Sequence, residues 1–86
     1  MKKGWQYVGS DINEVVNELF NEFGSYTNVF KWIKDEIHRV EDHFEYIEKA
    51  YGSCDVVDSL KEKVNDDIEF WMEVRNEIFE RMWMEL

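Results

Sequence analysis

The sequence has no proline, one cysteine and four glycines, and each shortage limits what the chain can form. A chain without proline has no residue that must break a helix interior, so other signals have to end its helices. Cys54, as the single cysteine, cannot close a disulfide within the chain. We therefore expect a domain without covalent cross-links in a reducing compartment, and we place it in the cytoplasm.

Positive charge and long apolar runs are also scarce. The chain carries 10 Lys and Arg against 20 Asp and Glu, a formal net charge of −10. Such a chain is repelled by nucleic acid and by anionic membranes, and no basic patch extends beyond Lys2 and Lys3. No apolar run approaches the ~18 residues of a membrane span, and no signal peptide is recognisable. We expect no direct binding of nucleic acid or membrane.

The residues that are present predict a helical domain with a true core. Of the 86 residues, 44% are hydrophobic and 16% aromatic, more than a disordered acidic chain would carry. Apolar residues at helical spacing predict helices over residues 11–23, 28–51 and 55–85. Because the connections are short, we expect one domain, an all-α antiparallel three-helix bundle over residues 11–86, with a long C-terminal helix. Residues 1–10 are expected to form a short extended arm.

Polar residues and glycines mark the expected helix ends. Asp11 followed by Glu14 resembles a capping box at the start of the first helix. Gly24 and Gly52 are expected to end the first and second helices, because glycine accepts left-handed backbone angles. The second and third helices have two candidate starts each, Ser25 or Thr27 and Ser53 or Asp55.

The apolar positions define an expected core and one further apolar surface at the end of the third helix. The last turns of the third helix, residues 78–86, are apolar on more than one face and extend beyond the shorter helices, which is typical of an interface. Either the arm with Trp5 and Tyr7 folds over this end, or a second molecule covers it. The residues expected in the core are Ile12, Val16, Leu19, Phe23, Phe30, Ile33, Ile37, Val40, Phe44, Ile47, Leu60, Val64, Ile68 and Trp71.

Residues able to carry out chemistry are few and dispersed. His38 and His43 are five residues apart, a spacing that rotates them away from each other on a helix. Asp35, His38 and Asp42 share a face, but the Glu-x-x-His pattern of bundle metal sites is absent. Cys54 is followed by acids that oppose a lowered thiol pKa. We expect no enzyme, no bound metal and no cofactor.

Acidic residues form two rows. Like-charge neighbours on a helix cost a few tenths of a kcal/mol each, and Glu80 also lies near a helix C-terminus, where cations are favoured. A sequence selected for folding alone would place lysine there, which favours a use for the negative potential; the alternative is a solvated face that only keeps the protein soluble. The first row is Glu14, Glu18 and Glu22; the second is Asp58, Glu62, Asp66, Glu69, Glu73, Glu77 and Glu80.

These features favour a non-enzymatic protein-binding inhibitor whose acidic surface mimics nucleic acid and blocks an enzyme with a basic groove. Trp71, Phe79 and Trp83 are its expected aromatic anchors. Small acidic helical proteins of this kind are similar in general character to phage inhibitors of restriction and CRISPR enzymes, a likeness of composition and not of motif. The alternative is a structural or regulatory module that homodimerises or joins a larger assembly through its C-terminal helix.

Overall fold

A computed structural model describes residues 2–52 and 55–84 and shows an all-α protein. In these ranges 89% of the residues are helical and none is in a strand. The helices are α1 (Gly4–Tyr7), α2 (Ile12–Phe23), α3 (Tyr26–Tyr51) and α4 (Asp55–Met84). The last three confirm the predicted helices to within one or two residues. None of the helices in the described ranges is long and apolar enough to cross a membrane.

The ends of α2 follow the sequence signals. The Asp11 carboxylate accepts hydrogen bonds from the backbone N–H groups of Asn13 at 2.9 Å and Glu14 at 3.2 Å. Gly24 ends the helix with a φ of 78°, and its N–H donates to the Phe20 carbonyl. Asp11 is confirmed as the N-cap and Gly24 as the helix end, and each satisfies backbone groups that a helix end leaves without partners. The bond from the Asp11 N–H to the Glu14 side chain that would complete a capping box is not among the hydrogen bonds of the described residues.

The limits of α3 are set in the same way. The Ser25 hydroxyl accepts from the N–H of Asn28 at 3.2 Å, so Ser25 and not Thr27 caps the helix. Gly52 ends α3 with a φ of 70°. The expected start of α4 at Ser53 lies outside the described residues, as does every expectation for Cys54.

The amino-terminal residues form a single helical turn, α1, where an extended arm was expected. An extended arm would have no strand to pair with, whereas the turn satisfies its own backbone groups, with the N–H of Gln6 donating to the Lys3 carbonyl at 2.9 Å. The turn places Tyr7, 2% exposed, at 6.1 Å from Trp32 and 6.2 Å from Trp71 between ring centroids. The arm is therefore part of the core.

The core lies at one end of the molecule, where α2 packs on the α3–α4 hairpin. At 12 residues, α2 is about 18 Å long and covers only part of that hairpin. The expected core residues Val16, Leu19, Ile33 and Trp71 are buried. The other expected core residues, Ile12, Phe23, Phe30, Ile37, Val40, Phe44, Ile47, Leu60, Val64 and Ile68, are half-buried, while Tyr7, Val15, Val29, Val57, Val74 and Ile78 are buried without having been expected.

The prediction that the end of α4 extends beyond the other helices is wrong. Helix α4 is only four residues longer than α3, with 30 residues against 26, so in an antiparallel hairpin its last turns return to the level of α2. Ile78 is fully buried there, and the Arg81 guanidinium reaches Asn17 of α2 at 2.7 Å. The end that extends beyond α2 is instead the far end of the hairpin, around Tyr51.

Candidate protein-binding surfaces

The seven acids that we call the acidic row run along the solvent side of α4. Asp58 and Glu80 are separated by 22 residues, which corresponds to about 33 Å of helix. All members are exposed except Glu77, which is half-buried. Within the described ranges Glu77 is also the member with an ion pair, at 3.1 Å to Nε of Arg81. The row is therefore a nearly uncompensated line of carboxylates.

The acids of α2 do not extend this row. Glu14, Glu18 and Glu22 are exposed, but α2 faces α4 through Asn13 and Asn17, the residues that Arg81 contacts. Glu18 lies on the other flank, 3.5 Å from Nζ of Lys2. There its charge, together with that of Glu22, adds to the burial that raises the Tyr7 pKa. The two predicted rows thus belong to different sides of the molecule.

The three expected aromatic anchors have different environments. Trp71 is 1% exposed and packs against Trp32 at 5.5 Å and Phe70 at 5.2 Å. It is a core residue, as the apolar spacing also predicted, and its burial rules it out as a surface anchor in this fold. Phe79 and Trp83 are 61% and 74% exposed, so both are available to a partner.

Phe79 and Trp83 belong to a side of the α3–α4 hairpin that neither α1 nor α2 covers. We call this side the open face. Its groove, about 430 Å³ in volume, contains the half-buried Phe30 and Ile37 together with Arg75. The Phe30 and Phe79 rings contact each other across it at 6.0 Å. With Met72, which is 42% exposed, the apolar surface continues along α4.

Charges divide the open face into two edges. Lys34, His38 and Arg75 line the groove between α3 and α4 together with a single acid, Glu41. Lys31 lies three residues before Lys34, on the same side of α3. Along the α4 edge the apolar surface borders Glu80 and the acidic row. One edge of the open face is therefore mainly basic and the other acidic.

A basic notch, which the sequence analysis missed, lies beside α1. Lys3, Trp5, Trp32 and Arg39 line it together with Glu36, whose carboxylate is 8% exposed. Arg39 donates to both carboxylate oxygens of Glu36: Nε donates to Oε2 at 3.2 Å, and Nη2 donates to Oε1. Glu36 follows the buried Ile33 by three residues, and this spacing was the signal that it would turn inward.

The histidines and acids weighed as metal ligands are dispersed in the parts of the chain that the structure describes. His38 and His43 are exposed, as are Asp35 and Asp42. Over residues 2–52 and 55–84, no three histidine, cysteine or acidic side chains come close enough together to hold a metal ion.

Comparison with protein-family models, curated proteins and solved structures yields no match to this chain. Its function has to be inferred from its own residues.

Proposed function

We propose that this protein is a non-enzymatic inhibitor that inserts the acidic row of α4 into the basic groove of a nucleic-acid-binding enzyme. The observation that carries the proposal is the geometry of the row: about 33 Å of continuous helix with one carboxylate every three or four residues. Six of its seven members are exposed, so their charge is free to meet lysines and arginines. Such a surface accelerates encounter with a positive groove and competes with phosphates.

The class of target follows from the charge. The enzymes that an acidic rod would block are those that hold duplex or single-stranded nucleic acid in a positive channel, such as restriction and CRISPR nucleases. An inhibitor of these enzymes acts in the cytoplasm of the cell that contains them, which for a phage protein is the host. It needs no cofactor and has no catalytic residue of its own.

The test is a DNA-cleavage assay with a panel of purified restriction and CRISPR nucleases. The parent protein should inhibit at least one of them, and inhibition should fall steeply as salt is raised, because the Debye length shortens. Changing Asp66→Lys with Glu73→Lys should weaken inhibition by about tenfold or more, since like charges then face each other. Changing Glu69→Lys with Glu77→Lys should do the same, although it also breaks the pair with Arg81.

The chain offers a matched control for the first pair. Asp35 and Asp42 are exposed on α3 and, like Asp66 and Glu73, lie seven residues apart. Changing both to lysine alters the net charge equally but leaves α4 intact. If this control loses inhibition as much as the α4 pair does, net charge alone is responsible. If the α4 pair inhibits as well as the parent, the acidic row is a solvated face and the proposal is wrong.

The second candidate is a module that assembles through α4. It is favoured by the exposure of Phe79 and Trp83, because large aromatic side chains beside one another on a surface mark interaction sites.

A further inference from the structure

We propose that the open face binds a second copy of the chain in a twofold dimer, with α4 of each copy packed on α3 of the other. In this arrangement the twofold axis runs parallel to the helices and in the plane of the interface. The contact is isologous, so one self-complementary patch is used twice. The dimer develops the second candidate function and does not depend on the inhibitor proposal.

Apolar exposure on the open face is the first support. Phe79, Trp83 and Met84 are 61%, 74% and 83% exposed, and Met72 is 42% exposed on the same helix. Aromatic side chains of this size dominate the energetics of protein interfaces. They lie beside the groove that contains Phe30, so an aromatic side chain from a second copy has a concave surface to enter.

The surface area of the chain matches what a dimer needs. Its accessible surface is 6225 Å², whereas a compact monomer of 10.5 kDa exposes about 5,400 Å². The excess of roughly 800 Å² equals one partner's share of a standard interface. The radius of gyration, 14.5 Å, likewise exceeds the roughly 12 Å of a compact domain of this length.

The charges select the partner and the axis. Because α3 supplies the basic edge and α4 the acidic edge, laying α4 on α3 of the second copy sets Lys31 and Lys34 against Glu80. The Phe30–Phe79 contact places these two residues at about the same level, and Lys31 and Glu80 follow them in opposite directions, so they are offset by only about 3 Å along the axis. The other face-to-face twofold would lay acidic edge on acidic edge, which like-charge repulsion opposes.

The acidic row follows the edge of this interface along α4. Glu73 precedes Glu77 by four residues, and Glu77 pairs with Arg81, which turns toward α2. Asp66 and Glu73 precede Glu80 by fourteen and seven residues, so these three acids share one strip of α4, the strip that forms the acidic edge of the open face. We therefore assign Phe79 and Trp83 to the apolar contact between copies and Glu80 to its charged edge.

Sedimentation equilibrium of the full chain tests the proposal. The parent should dimerise with a dissociation constant below about 100 µM. Phe79→Ser with Trp83→Ser should raise that constant by about tenfold or more. The matched control is Tyr46→Ser with Tyr51→Ser, since these tyrosines are 71% and 74% exposed on the far part of α3; it should leave the constant within about twofold.

A second test mixes two variants with opposite charges on their edges, and it applies even if the aromatic variant folds poorly. Lys31→Glu with Lys34→Glu makes both edges acidic, and Asn76→Lys with Glu80→Lys makes both edges basic. Each variant alone should dimerise at least about tenfold more weakly than the parent, while an equimolar mixture should form heterodimers more tightly than either.

The proposal is overturned if the parent stays monomeric up to about 1 mM or if the mixture associates no better than its components. Phe79→Ser with Trp83→Ser leaves every acid of the row in place, so inhibition measured on this variant separates the dimer proposal from the inhibitor proposal.

Discussion

The carboxylate of Glu36 lies against the backbone of Gly4 so closely that a methyl group on Gly4 would overlap it. Arg39 donates to both oxygens of this carboxylate, and the hydrogen bond raises the pKa of Arg39. Glu36 is thus held in place on α3 although only 8% of it is exposed. The position of α1 therefore depends on the contact between Gly4, which has no side chain, and the buried carboxylate of Glu36.

Substituting Gly4→Ala should therefore lower the free energy of unfolding by about 1 to 2 kcal/mol, because the added methyl overpacks this contact. In an ordinary helical position the same change would stabilise by about 0.5 to 1 kcal/mol. Urea denaturation of Gly4→Ala with and without Glu36→Ala measures the coupling. In the Glu36→Ala background the substitution should become neutral or stabilising; an equal cost in both backgrounds would show that another contact is responsible.

Arg81 joins α2 to α4, so replacing it should destabilise the packing of these two helices. Its guanidinium donates to Asn17 at 2.7 Å, Asn13 at 3.2 Å and Glu77 at 3.1 Å. Arg81→Met retains most of the apolar volume and removes these bonds, so we expect a loss of about 1 to 2 kcal/mol in urea denaturation. Arg75→Met, on the opposite flank of α4, is the control and should cost under about 0.5 kcal/mol when measured on dilute monomer.

Burial predicts unequal costs for two apolar residues of the same helix. Ile33 is 0% exposed in the packed end, so Ile33→Ala should cost about 2 to 5 kcal/mol. Phe44 is half-buried in the two-helix part of the hairpin, where α2 does not reach. Phe44→Ala should therefore cost less than Ile33→Ala by thermal or urea unfolding, although spacing alone gave the two residues the same role. Equal costs would mean that Phe44 is covered in solution.

Stability at high pH should depend on Tyr7. Burial, followed by the charge of Glu18, raises the pKa of the Tyr7 hydroxyl above its ordinary value. The folded state therefore retains this proton where the unfolded state has lost it, so stability is full below pH ~10 and declines as the pH rises above it. Urea denaturation between about pH 9 and 11 should show a steeper decline for the parent than for Tyr7→Phe. Parallel curves would contradict this assignment.

Helix ends were predictable because their causes are local. Asp11 and Ser25 accept bonds from N–H groups two or three residues away, and Gly24 takes the backbone angle that other residues avoid. The core was predicted less well. Spacing identifies which side of a helix is apolar, but it does not show that α2 covers only one end of the hairpin. Phe44 and Ile33 therefore follow the same apolar spacing, but Ile33 is fully buried and Phe44 is half-buried.

The candidate surfaces divide in the same way. The acidic row is a property of one helix, so the spacing of Asp58 to Glu80 was sufficient to predict a line of exposed carboxylates. The open face and the notch around Glu36 each require residues from two or three elements. The sequence by itself determined α2, α3 and α4 to within two residues and the charge along each, whereas α1 was expected to be extended. Tertiary structure decided which apolar residues stay exposed, because burial depends on contacts between segments far apart in the chain.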